Sequence, residues 1–240
     1  MHRLVTPVAV LAAAVLFPAP AFAQPPDPAL IARLGHHVEA LDQIGTRASL
    51  RVESVTEELD GDGKVTSTET EVARVESDGK EPHEVVERCV KDGKDVTAEE
   101  QEKTRKEEAK KREKKKEKKD DDEELTLPFA SDAYVYDQVG VDTVDPTRVE
   151  ISFIPKKPGK RTLEGKAWVD TTTGTILSAG AKLSKPPTFV DWVHITVELG
   201  AKTPLGPALS HLTFEAKAGL LFIRKHYRGE VKMSDYRLAP

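Results

Sequence analysis

The stretch RTLEGKAWVDTTTGTILSAGAKL, from Arg161 to Leu183, decides the fold of this chain. In its first half, small or apolar residues occupy every second position: Leu163, Gly165, Ala167 and Val169. The same period returns in its second half at Thr175, Leu177, Ala179, Ala181 and Leu183. A two-residue period sends alternate side chains to opposite faces of a sheet. Between the halves, Thr171 to Gly174 supply a turn in which Gly174 can adopt a positive φ. The stretch therefore predicts a β-hairpin.

Strand-like runs recur on both sides of this hairpin. They cover 48–59, 64–76, 83–90, 94–96, 133–139, 147–154, 190–199, 211–217 and 220–236. Short turns such as Asp60–Gly63 and Asp92-Gly93 join neighbouring runs in the manner of hairpins. Consecutive strands with hairpin links form an antiparallel meander, and a sheet of so many strands tends to curl. In the last run, Gly229 predicts a bulge or kink.

An amphipathic helix precedes the strands. Asp27 is a favoured N-cap and Pro28 suits the first helical position. An apolar stripe follows at helical spacing, formed by Leu30, Ile31, Leu34, Val38, Leu41 and Ile44. Gly45 predicts its end. The fold class predicted is therefore α+β: a curved antiparallel β-sheet (an open half-barrel) with an N-terminal helix on its concave side and an inserted charged helix.

The inserted helix lies in the segment 97–124. Thr97 and Glu100 have the spacing of a capping box. The segment from Glu99 to Glu124 holds 11 basic and 12 acidic side chains, no aromatic residue and no apolar stripe. A nearly neutral segment without stacking residues does not favour nucleic-acid binding. We expect a helix that projects into solvent.

The first 23 residues predict export. A basic start and a short apolar run lead to Ala21-Phe22-Ala23, a small-residue cleavage site, so the mature chain begins at Gln24. An uncleaved membrane anchor is the alternative. Residues 24–240 then form a single domain with an insertion at 97–124, in the periplasm. Cys89 is the only cysteine and forms no intramolecular disulfide. Its strand context favours a buried apolar role over a reactive thiol.

Motifs for catalysis or metal binding are missing from this sequence. It contains no G-x-S-x-G elbow, H-E-x-x-H helix, Walker loop or G-x-G-x-x-G. A calcium loop starting at Asp60 would need an oxygen ligand and a glycine where Lys64 and Val65 stand. The histidines at 194, 211 and 226 fall on different strands. We expect no enzyme, no metal and no cofactor.

The chain resembles the LolA/LolB-like periplasmic lipoprotein carriers, the outer membrane lipoprotein-sorting proteins. The resemblance rests on the signal peptide, the first helix and the strand Gly165–Asp170, which has the G-x-x-W-x-D pattern of such chains. It continues in Tyr227-Arg228-Gly229 and in the closing 234–237. The hairpins at Asp60 and Asp92 and the charged helix resemble a subgroup of this family that has such an insertion. The resemblance implies an open half-barrel with a hydrophobic cavity for acyl chains. No residue here aligns with the functional cavity arginine of those carriers.

Two functions are therefore expected from the sequence. The first is a monomeric periplasmic carrier or binding protein for lipoprotein acyl chains or another hydrophobic ligand. Its predicted cavity residues are Leu34, Val38, Phe153, Trp168, Trp192, Val193, Ile195, Val197 and Phe222. The alternative is a non-enzymatic envelope interaction protein, which would use the charged helix to contact inner- or outer-membrane envelope proteins.

Overall fold

The computed structural model describes residues 24–79, 82–117, 126–220 and 223–239. The predicted signal peptide 1–23, residues 118–124 of the charged segment, and Phe222 lie outside the described residues.

The hairpin predicted from Arg161 to Leu183 is confirmed. Strand β7 covers Leu163–Asp170 and β8 covers Thr175–Leu183. In the turn, the Asp170 carboxylate accepts hydrogen bonds from the backbone N–H of Thr172 at 2.7 Å and of Thr173 at 2.9 Å. Gly174 has a φ of 71°, the left-handed conformation that favours glycine.

The strands form a curved, open, antiparallel sheet, which confirms the predicted fold class. Its remaining members are β1 (Ala48–Leu59), β2 (Val65–Ser77), β3 (Pro82–Lys91), β4 (Lys94–Asp95), β5 (Tyr134–Val141), β6 (Arg148–Pro155), β9 (Val190–Glu198), β12 (His211–Leu220) and β13 (Ile223–Leu238). Within the described residues the sheet has 11 strands in the order β4-β3-β2-β1-β13-β12-β9-β8-β7-β6-β5. The first long strand thus pairs with the last.

A separate two-stranded hairpin interrupts this meander between β9 and β12. Strands β10 (Ala201–Thr203) and β11 (Gly206–Ala208) pair only with each other. The strand-like runs predicted from the sequence leave residues 200–210 without a strand, so this hairpin was not predicted.

Helix α1 (Pro28–Arg47) covers one face of the sheet, called here the helix face. The Asp27 carboxylate accepts from the Ala29 N–H at 2.9 Å, which confirms the predicted N-cap. The stripe residues Leu30, Leu34 and Val38 are buried against side chains of β5 to β8 in the main core. The predicted end at Gly45 is wrong. The helix runs on to Arg47, because the first residue of β1, Ala48, caps it through its N–H to the Ile44 oxygen.

Helix α2 (Thr97–Glu117) confirms the inserted helix, but its first turns do not project into solvent. They lie on β3, where the Gln101 amide donates to the Val86 oxygen at 2.8 Å. The capping box is absent, because the Thr97 hydroxyl is engaged with the backbone of Cys89. The register of the intervening strands puts Val86 and Cys89 on the helix face.

The structure has no bulge at Gly229, where the sequence predicted a bulge or kink. Gly229 pairs regularly with Thr56 on one side and Phe214 on the other. A side chain there would overlap the Phe214 ring, so the glycine makes room for an aromatic neighbour. The irregularity of β13 lies at Asp235, which has a φ of 57°, next to a register shift in β1. Within the described residues, no helix is long and apolar enough to cross a membrane.

Candidate ligand cavity

An apolar cavity of about 460 Å³ lies between α1, the segment 126–133 and the helix face of the sheet. Helix α1 contributes Val38 and Leu41, and the segment contributes Leu127, Pro128 and Phe129. The sheet contributes Phe153, Leu163, Ile176, Ala179, Ala181, Ile195 and Val197, with Leu199 just beyond β9. Asp42, Gly45 and Thr46 line one edge, where α1 is exposed. The cavity therefore has an apolar interior and a polar rim.

Small side chains on two neighbouring strands create this space. Ala179 and Ala181 of β8 line the cavity, and Gly165 of β7 pairs with Ala181. Larger residues at 179 and 181 would fill the space between the sheet and α1, whereas Gly165 allows β7 and β8 to pair closely beside it. The sequence carries this signal as Ala-Gly-Ala at 179–181, which the prediction used for strand periodicity but not for the cavity.

Helix α1 is fastened to the sheet by polar contacts that do not depend on filling the cavity. The Arg33 guanidinium donates to the Thr171 oxygen at 2.9 Å. His37, a buried polar residue, accepts from the Ile176 N–H through Nδ1 at 2.9 Å. Because that nitrogen is the acceptor, the proton is on Nε2, which donates to the Pro207 oxygen at 3.1 Å. These contacts hold the helix above the cavity.

The segment 126–133 is held in a similar way. Phe129 has a φ of 67°, and its N–H donates to the Tyr136 hydroxyl at 2.8 Å. The Tyr134 hydroxyl donates to the Thr126 oxygen at 2.6 Å. Burial raises the pKa of both tyrosines, so they are neutral at physiological pH. Gly35 lets α1 approach this segment, since a Cβ there would lie 2.9 Å from the Phe129 oxygen.

The structure brings together only part of the predicted cavity set. Val38, Phe153, Ile195 and Val197 line the cavity. Leu34 is buried in the adjoining core, and Val193 lies on the helix face of β9 but outside the lining. Phe222 lies outside the described residues. The predicted set missed the other apolar lining residues, which are Leu41, Leu127, Pro128, Phe129, Leu163, Ile176, Ala179, Ala181 and Leu199. Residues 127–129 lie in an irregular segment, which has no periodicity to interpret.

Trp168 and Trp192 lie on the opposite face of the sheet. Trp168 lines an open recess there with Ser178 and Thr196. Trp192 stacks on His194 with 4.9 Å between the ring centroids. Each tryptophan alternates with residues of the helix face along its strand, so neither indole points toward α1.

The histidines that the sequence could not place together share this opposite face. Strands β9, β12 and β13 are neighbours, so His194, His211 and His226 are on adjacent strands. His226 pairs with Glu215 at 2.7 Å and His211 pairs with Glu230 at 3.0 Å. Across the part of the chain that the structure describes, no three His, Cys, Asp or Glu side chains are grouped so that they could hold a metal ion.

Comparison with known proteins gave matches at the level of structure. No family model matches the chain, and no curated protein matches it. Similar solved structures include a DUF1329 family protein from Desulfovibrio piger, with 15% identity and a TM-score of 0.40 over 89% of this chain and 94% of that chain. A LolA superfamily protein from Nitrosomonas europaea has 9% identity and a TM-score of 0.31 over 84% and 93%.

A third similar structure is the MucA/MucB complex of Pseudomonas aeruginosa. It has 12% identity and a TM-score of 0.23, over 86% of this chain and 99% of that chain.

Proposed function

We propose that this chain is a periplasmic carrier or binding protein, without catalytic activity, that holds a hydrophobic chain in the cavity under α1. The ligand is an acyl chain of a lipoprotein or another hydrophobic molecule, and outer-membrane lipoprotein sorting is the proposed setting. The observation that carries this proposal is an apolar cavity of about 460 Å³ that opens at an exposed edge of the helix.

The size of the cavity suits a small hydrophobic ligand, because ligand sites in proteins typically span about 300–1,000 Å³. Each methylene group moved from water into such a site contributes about 0.8 kcal/mol. Part of that gain offsets the entropy that the ligand loses on binding. Burial of ten or so methylene groups therefore contributes about 8 kcal/mol before that cost is subtracted. The net affinity is then weaker than micromolar, because micromolar binding itself corresponds to about −8 kcal/mol.

The cavity walls also support binding because they are held in place. His37 and Arg33 fasten α1 to the sheet, and the hydroxyl groups of Tyr134 and Tyr136 fasten the segment 126–133. A preformed site loses less conformational entropy when the ligand enters. The protein is proposed to act as a monomer, since the cavity is complete within one chain.

The test is to fill the cavity and measure alkyl-chain binding. Ala181 points into the cavity, so Ala181→Phe should abolish displacement of N-phenyl-1-naphthylamine by dodecanol. The matched control is Gly180→Phe, which adds the same ring to the other face, where an added Cβ meets nothing within 4 Å. Ala181→Val should give an intermediate loss, and urea unfolding of each variant verifies that it is folded.

Substitutions of the two tryptophans complete this test. Because Trp168 and Trp192 lie on the opposite face, Trp168→Phe and Trp192→Phe should leave the affinity within about twofold of the native value. Absence of probe binding by the native protein, or equal binding by Ala181→Phe, would contradict the proposal.

A second candidate function rests on α2. The helix contacts β3 through polar groups, and its other face presents exposed charges, including Glu102, Lys106 and Glu107. This arrangement supports an interaction protein that contacts other envelope proteins through α2. Replacing residues 99–124 by a short linker should then abolish cross-linking to the partner while unfolding remains cooperative. Unchanged cross-linking would eliminate this role.

A further inference from the structure

The cavity has an outer vestibule that a bound chain would pass. A recess of about 590 Å³ lies beside the cavity and is lined by α1 and the segment 126–133. The two spaces share Val38, Asp42 and Leu127. Leu127 is 41% exposed, so the partition between them is in contact with solvent. A ligand whose tail fills the cavity would therefore place its polar end near Asp42.

The ionisable groups that line these two spaces are carboxylates. They are Asp42, which lines both, and Glu39, one turn earlier on α1. Among the described residues, no lysine, arginine or histidine lines either space. The imidazole of His36 lies 3.3 Å from Glu39, with both side chains exposed. The Arg47 guanidinium, in the last turn of α1, donates to the Ala239 oxygen and lines neither space. The mouth therefore has a negative potential.

The end of α1 adds to this potential. Gly45 and Thr46, which line the same edge, belong to the last turn of the helix. The carbonyl groups at a helix C-terminus carry a partial negative charge that favours cations. The Thr46 hydroxyl donates to the backbone oxygens of Asp42 and Gln43, so the Asp42 carboxylate is not its acceptor.

We propose that Asp42 determines the head-group specificity of the cavity and that the ligand is an alkyl chain with a positively charged amine at its polar end. This inference rests on the proposed function, because it concerns the polar end of a chain held in the same cavity. The ammonium group lies at the mouth beside Asp42 and Glu39, while the hydrocarbon fills the apolar interior. A carboxylate at that position is repelled by both side chains and by the helix C-terminus.

The experiment compares three ligands with the same chain and different head groups. Dodecylammonium, dodecanol and dodecanoate are titrated into the purified protein at pH 7, below their micelle concentrations, with displacement of the neutral probe N-phenyl-1-naphthylamine as readout. At low salt the ammonium should bind about two- to fivefold more tightly than the alcohol, and the carboxylate more weakly by a similar factor. Salt at about 0.5 M should reduce these differences, because it screens exposed charges.

Charge-neutral variants assign the preference to the mouth. Asp42→Asn should remove most of the difference between ammonium and carboxylate, and Glu39→Gln should remove less, since Glu39 lines only the vestibule. The matched control is Asp62→Asn in the β1–β2 turn. It lowers the net negative charge by the same amount, but at a position that does not line the cavity. It should leave the order of affinities unchanged.

The outcomes separate this inference from the proposed function. Equal affinities for the three ligands would overturn the inference and leave the cavity as a binding site. Tightest binding of dodecanoate would also overturn it, and would indicate that the head group binds near the basic turn 155–160. That turn lies close to the segment 126–133, because the backbone oxygen of Arg161 accepts from the Thr126 N–H at 3.0 Å. If none of the three ligands displaced the probe, the proposed function and the inference would both fail.

Discussion

At Gly165 the sheet has room for a hydrogen atom but not for a methyl group. An added Cβ would overlap the backbone oxygen of Gly180 and lie 2.9 Å from the Cα of Ala181. Both obstacles are backbone atoms of β8, so no side chain can rotate away. At Gly180 of β8, by contrast, an added Cβ would have no atom within 4 Å. Two glycines in neighbouring strands thus differ sharply in what they tolerate.

This difference yields the first stability prediction. Gly165→Ala should lower the free energy of unfolding by about 1–3 kcal/mol, because the strands must separate to admit the methyl group. Gly180→Ala should change it by less than about 0.5 kcal/mol or raise it slightly, since alanine restricts the unfolded chain. Urea unfolding measures both. Equal effects of the two substitutions would show that the close approach of β7 and β8 is not as described.

Some residue-scale features followed from the sequence and others did not. The Asp27 cap and the Gly174 turn were predicted, because each acts on backbone groups a few residues away. The roles of His37 could not be predicted, since its two partners, Ile176 and Pro207, are 139 and 170 residues distant. Such contacts depend on which elements become neighbours.

At the scale of elements, α2 is attached by a polar stripe. The partly buried side chains of its first turns have helical spacing: Thr97, Glu100, Gln101, Thr104 and Glu108. The Glu108 carboxylate accepts from the Glu84 N–H at 3.2 Å, in addition to the Gln101 contact with Val86. Apolar periodicity could not reveal this stripe, because its members are hydrogen-bonding residues. The helix itself was predictable from composition, but its docking was not.

Cys89 offers a measurement of that docking. Its thiol is buried beside the start of α2, and burial, with nearby Glu69, Glu71 and Glu100, raises its pKa to about 11. At neutral pH it is therefore protonated, and a thiol reagent should modify it only when α2 opens. Gln101→Ala, which removes the hydrogen bond to Val86, should accelerate modification about two- to tenfold.

The control for this measurement is Glu102→Ala on the exposed side of α2, where the lost contact is the surface pair with Lys106. It should leave the modification rate near the native value. Rapid modification of the native protein at neutral pH, or equal rates in both variants, would mean that α2 does not protect Cys89.

At the scale of the whole molecule, the first long strand of the sheet lies beside the last strand. Strand β1 pairs with β13, and a second small core joins Ile44 and Ala48 to Ala208 of the β10–β11 hairpin. Tyr236 packs against this core, and its hydroxyl donates to the Leu209 oxygen at 2.6 Å. Burial raises the pKa of Tyr236 to about 12. The titration of this tyrosine is therefore a probe of the contact between β13 and the second small core.

The protonation of Tyr236 in the folded and unfolded states determines how stability changes at alkaline pH. In the unfolded chain a tyrosine loses its proton near pH 10, whereas folded Tyr236 keeps its proton until about pH 12. Above pH 10 the unfolded state binds fewer protons, so stability falls as pH rises toward 12. Tyr236→Phe should be less stable at pH 8 by about 1 kcal/mol, because the hydrogen bond to Leu209 is lost.

The decisive measurement is how stability depends on pH, and not the difference in stability between the two proteins at pH 8. Between pH 10 and 12 the urea midpoint should fall less steeply in Tyr236→Phe than in the native protein. Parallel curves for the two proteins would show that Tyr236 titrates alike in the folded and unfolded states.

The sequence by itself determined the local elements: the capped first helix, the alternating strands, the hairpin turns and the charged insertion. Each depends on periodicity and turn chemistry within a few residues, which a sequence displays directly. The tertiary structure alone decided that β1 pairs with β13, that α2 lies on β3, and that Trp168 and Trp192 lie away from the cavity. Periodicity divides a strand into two faces but does not tell which face receives a helix. That choice depends on which residues share a face once strands far apart in the sequence have paired.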